Sequence, residues 1–326
     1  MHTQVFVDDP VKIGQNFAGK HIISIRQFDP QSLEILFHKT STIKRCLQNG
    51  EQGEALAGKV ITLLFFEPSS RTFSSFSAAI KRLGGQTIEY QNPMQTSSAI
   101  KGETLEDTVR VFEGYSDGIV MRHFEEGAPA RAAKALSRIP IMNAGDGSGE
   151  HPTQALLDMF TLYEKFGRLD HLKGVIAGDL LYGRTVHSLL KGLSFYPGNT
   201  FYLLSPKELR LPRELFEEYT KARVTLVEIE KETDIPTDCQ VWYWTRVQKE
   251  RLADPSTYEV LKNRFIVTKK LLKEKGNADM IIMHPLPRVG EIDPAIDTDP
   301  RAYYLTHEVP NGMYVRMALL SLVFGK

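Results

Sequence analysis

Val60-Ile61-Thr62-Leu63-Leu64-Phe65-Phe66-Glu67-Pro68-Ser69-Ser70-Arg71-Thr72 opens with an apolar run that reads as a buried strand and closes on a polar turn. Phe76, Ala79, Ile80 and Leu83 follow at helical spacing, so the turn leads into a helix. Three hydroxyls and a guanidinium then stand at a strand-to-helix junction, where free backbone N–H groups and the positive end of the helix dipole collect. Such a turn can cradle a phosphate, with the arginine forking across two of its oxygens. A capping serine followed by a surface arginine reads equally well from these residues alone.

Outward from this unit, strand-like and helix-like segments alternate. A helix is predicted over 28–49. After the opening unit come a strand over 87–90, a polar loop over 92–102, a helix over 103–115 and a strand over 118–121. A helix over 129–137 and a strand over 139–143 lead to a long helix over 152–166. The second half repeats the pattern, with strands at 174–177, 200–204, 224–229, 240–244 and 280–283. Its helices are predicted at 184–196, 212–221, 256–274 and 314–324. Regular alternation implies parallel sheets covered on both faces. The fold expected is α/β, two doubly wound parallel-sheet domains with an active-site cleft between them, because ligands bind beyond the carboxyl ends of such strands.

The bulk properties exclude several classes. The 326 residues suit two domains. Forty basic residues balance forty acidic ones, so no global field gathers nucleic acid or an anionic membrane. Cys46 and Cys239 are the only cysteines, far apart and without metal spacing, which fits a reducing cytosol. The opening MHTQVFVDDPVKIGQ lacks a basic-then-apolar layout, and no apolar run reaches membrane-spanning length, so a cytoplasmic protein is expected. No phosphate-binding G-x-x-x-x-G-K-[ST] occurs, and Gly178–Gly183 lacks dinucleotide spacing; the phosphate expected at Ser69–Thr72 belongs to a small substrate.

Further polar residues fall at strand ends. Arg122 closes the strand over 118–121 and is either aimed into the cleft or paired with Glu125 or Glu126. His151-Pro152-Thr153-Gln154 opens the long helix, with Pro152 at its first position, so that His151 and Gln154 either face one spot and can grip a carbonyl and an amide or serve only as a capping motif. The run Asn143–Gly149 ahead of it reads as a flexible loop that delivers the histidine. Arg184 and Arg246 are cations at strand ends where a carboxylate can dock, or else simply belong to a helix start and a turn. In His284-Pro285-Leu286-Pro287-Arg288 two prolines stiffen the backbone and free carbonyls for an amine. The loop 95–104 is long enough to be either disordered or a lid, and its hydroxyls and Lys101 suit covering a phosphate.

Taken together and in order, S-S-R-T, the loop ending K-G-E-T, V-M-R-H, H-P-T-Q, G-R-T-V-H-S, T-R-V-Q-K-E-R and H-P-L-P-R resemble the catalytic chains of the aspartate carbamoyltransferase family, from about residue 21 to the C-terminus. The resemblance implies transfer of the carbamoyl group of carbamoyl phosphate to the α-amino group of L-aspartate, in pyrimidine synthesis, with no metal and no cofactor. It implies a carbamoyl-phosphate-binding domain at 1–152 with 311–326 and an aspartate-binding domain at 153–310. By the same resemblance Ser69, Ser70, Arg71 and Thr72 bind phosphate, while Thr72, Arg122 and His151 polarise the carbamoyl oxygen. Gln154 holds the carbamoyl nitrogen, and the Pro285 and Leu286 backbone lies near the substrate amines. Arg184, Arg246, Gln248 and Lys101 meet aspartate. Ser97 and Lys101 are lent by a neighbouring subunit, implying a homotrimer with shared sites. Glu67, Arg184 and Arg251 serve domain closure. Regulatory chains or a dihydroorotase are possible partners.

Some positions depart from the family pattern: Phe73 replaces a usual basic residue, Ser77 a frequent glutamate and Ile100 a frequent basic residue, and the first twenty residues match nothing. The sister ornithine enzyme would carry a cysteine at Pro285 and a Ser-Met-Gly element, neither of which is present. A non-catalytic subunit of the same fold would not need Arg71, Thr72, Lys101, Arg122 and His151 together.

Overall fold

The computed structural model describes residues 11–92, 102–249, 258, 261 and 264–326. Two compact units emerge, Met1–Leu157 with Asn311–Lys326, and Asp158–Pro310.

In the first unit α1 (Pro30–Gln48) starts where Asp29 accepts a hydrogen bond from the Ser32 N–H at 2.8 Å, with Pro30 at its first position. Such a cap is worth about 1 kcal/mol. Then follow β1 (Val60–Phe65), α2 (Ser70–Arg82), β2 (Gln86–Gln91), α3 (Leu105–Glu113), β3 (Gly118–His123), α4 (Ala128–Ala135) and β4 (Ile141–Asp146). The described strands pair in parallel in the order β2-β1-β3-β4. β3 and β4 are buried throughout, whereas β2 is an edge strand in which Thr87 and Ile88 are half-buried and the other residues exposed.

Helix α5 (Pro152–Phe166) carries the chain into the second unit. There follow β5 (Lys173–Ala177), α6 (Arg184–Leu193), β6 (Thr200–Leu204), α7 (Arg213–Lys221), β7 (Thr225–Ile229), β8 (Val241–Trp244), α8 (Lys269–Lys275) and β9 (Ile281–Met283). The sheet is again parallel, ordered β7-β6-β5-β8-β9. Trp242 and Trp244 are fully buried with ring centroids 5.3 Å apart. A π-helical turn, Tyr304–Glu308, precedes α9 (Val309–Val323), which returns to the first unit.

Three expectations change. The helix predicted over 256–274 is not continuous: α8 begins only at Lys269, after Thr268 accepts from the Leu271 N–H at 3.1 Å. Upstream, Phe265 takes φ +63° and its carbonyl accepts from Trp244 Nε1 at 2.7 Å, so a tertiary contact claims the oxygen a helix would use. The last helix begins at Val309 rather than 314, with Pro310 in its first turn, where a missing N–H is harmless. Arg122 lies inside β3 rather than after it.

Candidate active site

In the first sheet the chain builds β2 on one side of β1 and then turns back to build β3 on the other. This reversal opens a crevice beyond the carboxyl ends of β1 and β3. Ser69–Thr72 follow β1, and Arg122 stands opposite Phe65 at the end of β3. The Phe66 N–H donates to the Arg122 carbonyl at 2.8 Å, tying the two strand ends together. Ser69 is the N-cap of α2 but makes no side-chain cap bond, so the simple capping role is not the one realised. Thr72 is buried, Ser69 half-buried, and Ser70 and Arg71 exposed.

Arg122 is buried, and its Nη2 lies 2.8 Å from Glu67 Oε2 while Nη1 donates to the Ala144 carbonyl at 3.2 Å. The alternative partners are occupied elsewhere: Glu125 pairs with Arg131 at 2.6 Å, and Glu126 accepts from Ser148 at 2.9 Å. Gly145, at φ +117°, is the point where Arg122 meets His151. A β-carbon there would stand 2.7 Å from Arg122 Nη1 and 3.3 Å from the His151 ring. The buried His151 starts α5 as expected, its carbonyl accepting from the Gln154 N–H at 2.9 Å.

The run before His151 is not the flexible loop expected. Asn143–Asp146 belong to β4 and are buried. Asp146 accepts from the Glu150 and Gly127 N–H groups at 2.8 and 2.9 Å, and Glu150 accepts from Ser24 Oγ and the Ile25 N–H at 2.6 and 2.8 Å. Burial pushes both carboxyls above their usual range despite these donors. The glycines mark close approach rather than mobility, since a β-carbon on Gly147 would strike the Phe124 carbonyl at 2.3 Å. Phe73 packs edge-on to Phe65, and Ser77 donates to Glu89 at 2.8 Å, so these two departures serve the unit's own packing.

The second sheet repeats the logic, reversing between β5 and β8. The loop after β5 leads to Arg184, the first residue of α6, and the loop after β8 carries Arg246 and Gln248. Asp179, fully buried, joins the loops: its carboxylate accepts from the Tyr182 N–H at 2.9 Å and the Gln248 N–H at 3.2 Å. The Tyr182 carbonyl accepts both the Arg184 N–H at 2.9 Å and Gln248 Nε2 at 2.8 Å. Arg184 and Gln248 are thus held together, while Arg246 Nη1 lies 3.4 Å from the Val247 carbonyl.

After β9, His284 Nδ1 accepts from the Leu286 N–H at 2.8 Å and Nε2 lies 2.7 Å from Glu291 Oε1. With Nδ1 an acceptor, the proton of the neutral ring sits on Nε2 and points at Glu291. Burial lowers the His284 pKa, although Glu291 opposes this. Glu291 stays below its usual range because the bonds from His284 and from the Val289 and Gly290 N–H groups outweigh burial. These contacts hold Leu286 at φ +57°, a conformation that costs a branched residue on the order of 1–2 kcal/mol.

Ser97, Lys101, Arg251 and Ile100 lie outside the described residues. The anchors Asp146, Asp179 and Glu291 escaped sequence reasoning, although an aspartate three residues before an accepted N–H, as in Asp179 and Tyr182, is a recognisable turn signal. Among the described residues no cluster of three His, Cys, Asp or Glu side chains is arranged to hold a metal ion, and no helix is long and apolar enough to cross a membrane.

Two parallel α/β units, each presenting cations where its sheet reverses, suit an enzyme that handles anionic substrates. Residues 20–164 match the family model described as the carbamoyl-P binding domain of aspartate/ornithine carbamoyltransferase, and residues 170–323 match its Asp/Orn binding domain. The chain is 44% identical over 310 residues to the aspartate carbamoyltransferase catalytic subunit of Methanococcoides burtonii, covering 95% of this chain and 99% of that one. Its structure is similar to the catalytic subunit of M. jannaschii aspartate transcarbamoylase, with TM-score 0.85, 42% identity and coverage of 93% and 97%. It is also similar to the Trypanosoma cruzi aspartate transcarbamoylase in complex with carbamoyl phosphate and aspartate, with TM-score 0.87, 37% identity and coverage of 96% and 99%. The chain belongs to the aspartate carbamoyltransferase family.

Proposed function

We propose that this chain transfers the carbamoyl group of carbamoyl phosphate to the α-amino group of L-aspartate, giving N-carbamoyl-L-aspartate and phosphate for pyrimidine synthesis. The observation that carries the reading is the convergence of Arg122 and His151 on Gly145, with Arg122 on the strand that pairs with β1, the strand leading into a helix start rich in hydroxyls. The neutral amine attacks the carbamoyl carbon, negative charge builds on the carbamoyl oxygen, and the bond to the phosphate oxygen breaks as that oxygen keeps the electron pair and the phosphate takes up the proton that the amine nitrogen loses. Such a reaction is served by positioned reactants and donors aimed at the developing charge.

In this scheme Ser69, Ser70, Arg71 and Thr72 hold the phosphate, and Thr72, Arg122 and His151 donate toward the carbamoyl oxygen. Gln154 receives the carbamoyl nitrogen. Arg184, Arg246 and Gln248 take the aspartate carboxylates, and the Pro285 and Leu286 backbone meets the amine. Ser97 and Lys101 come from a neighbouring subunit of a homotrimer, with Lys101 meeting both substrates. Glu67, Arg184 and Arg251 serve domain closure, for which Glu67 must first release Arg122. The first domain spans 1–152 with 311–326 and the second 153–310; the enzyme works in the cytoplasm, and regulatory chains or a dihydroorotase are candidate partners.

The test is to offer the purified chain carbamoyl phosphate with L-aspartate or L-ornithine in parallel. Carbamoyl-aspartate and phosphate in equal amounts, with aspartate alone, are expected. Turnover with ornithine instead would overturn the reading, and binding of both substrates without turnover would favour a non-catalytic subunit.

A further inference from the structure

Behind the residues assigned to substrate, the second unit buries two carboxyl groups against each other. Asp158 on α5 is fully buried, and Glu308, in the turn before α9, is 2% exposed. Their side chains are within hydrogen-bonding reach, yet two carboxylates have only acceptors to offer, so a bond requires a proton on one of them. The surrounding donors show which one. The Tyr243 hydroxyl on β8 donates to Asp158 Oδ2 at 2.9 Å and is itself met by the Thr185 hydroxyl on α6. The His284 backbone N–H donates to Glu308 Oε2 at 2.9 Å, whereas among the described residues no donor reaches the buried Glu308 Oε1.

We propose that Glu308 carries one proton on Oε1, donates it to Asp158, and through Oε2 fixes the His284–Leu286 backbone, making Glu308 a positioning residue for the aspartate amine. Burial, and then the charge of Asp158, pushes the Glu308 carboxyl well above its usual range, and burial likewise keeps the Tyr243 hydroxyl a donor. The ring of the same His284 is faced by Glu291, Arg288 and Arg246. His284 is therefore held at its ring by Glu291 and at its backbone by Glu308, so Leu286, two residues on, has little freedom. The pair also joins the two ends of the unit, since Asp158 is its first residue and Glu308 stands two before its last. The positioning role rests on the assignment of the Pro285 and Leu286 backbone to the amine; the proton does not.

The test uses the full chain and the variants Glu308→Gln, Glu308→Ala and Asp158→Asn. In heavy water above neutral pH, infrared spectra of the wild type should show the carbonyl stretch of a protonated carboxylic acid. That band should vanish in Glu308→Gln and in Asp158→Asn, whose amide supplies the missing donor. Glu308→Gln should keep KM and kcat within about threefold, because its amide reproduces both bonds. Glu308→Ala should raise KM for aspartate about tenfold while leaving KM for carbamoyl phosphate unchanged, the size expected for one lost buried hydrogen bond. No acid band in the wild type, or a band that survives both neutral variants, would overturn the shared proton. Equal damage from Gln and Ala, or equal shifts in both KM values, would overturn the positioning role. A wild type that turns over neither amino acid would refute the transferase reading, and the infrared result would still decide the proton. Should Glu308→Ala not fold, Asp158→Asn with near-normal kinetics and no band supports the proposal, and a persistent band refutes it.

Discussion

The two units place their candidate site residues at the same point of the same topology, yet they secure them differently. In the first unit the groups belong to regular elements: Arg122 is on β3, Thr72 in the first turn of α2, and His151 at the start of α5. In the second, Gln248 and Leu286 sit on loops, and hidden acids do the holding, Asp179 for one loop and Glu291 with Glu308 for the other. A strand fixes a side chain through its ladder, whereas a loop has none, so its backbone N–H groups need dedicated acceptors. The lesson is that in the first unit the residues assigned to substrate are held chiefly by the elements that carry them, whereas in the second, damage should come also from residues that never touch substrate.

The largest effect expected tests the first half of that contrast. Arg71→Ala should lower kcat/KM by about 10³ with an unchanged urea midpoint, because the side chain is exposed at a helix start. Mixing Arg71→Ala with inactive Lys101→Ala chains should recover activity if subunits share sites; no recovery after confirmed mixing would sink that arrangement. Next in size, Gly145→Ala should cost about 10²-fold in kcat, since the added carbon meets Arg122 and His151 and the backbone lies at φ +117°. A nearly normal rate would show that Arg122 and His151 can move without loss.

For the second unit, Asp179→Ala should raise KM for aspartate about tenfold and cost about 2–3 kcal/mol of stability, because two N–H donors lose their acceptor. A change confined to carbamoyl phosphate would break the comparison. The smallest effect is pH-linked. Burial places the folded His284 pKa below its unfolded value of 6.5. As pH falls through that window the unfolded chain binds a proton that the folded chain refuses, so wild-type stability drops by at most about 1.4 kcal/mol per pH unit. The stability cost of His284→Gln, read from urea unfolding, should therefore shrink between pH 7.5 and 5.5. A cost that grows on acidification would show the folded ring to be charged.

The alternation of apolar runs and helical spacing was enough to name parallel α/β units, since burial on both faces leaves a mark that survives in one dimension. It also put Ser69–Thr72, His151, Arg184 and Arg246 at strand ends or helix starts, and the ordered motifs pointed to the family. The sequence could not show that Asn143–Gly149 is a packed strand and turn, because glycine reads alike whether it supplies freedom or close approach. Nor could it show that Arg122 pairs with Glu67 rather than Glu125, or that Trp244 ends the helix expected before residue 269. Asp158 and Glu308 stand 150 positions apart in the chain, and only the fold lays one against the other. Patterns that repeat along the chain are written in its sequence. Contacts between distant residues, and the protons those contacts demand, arise when burial removes water and leaves each polar atom to find a partner in the protein.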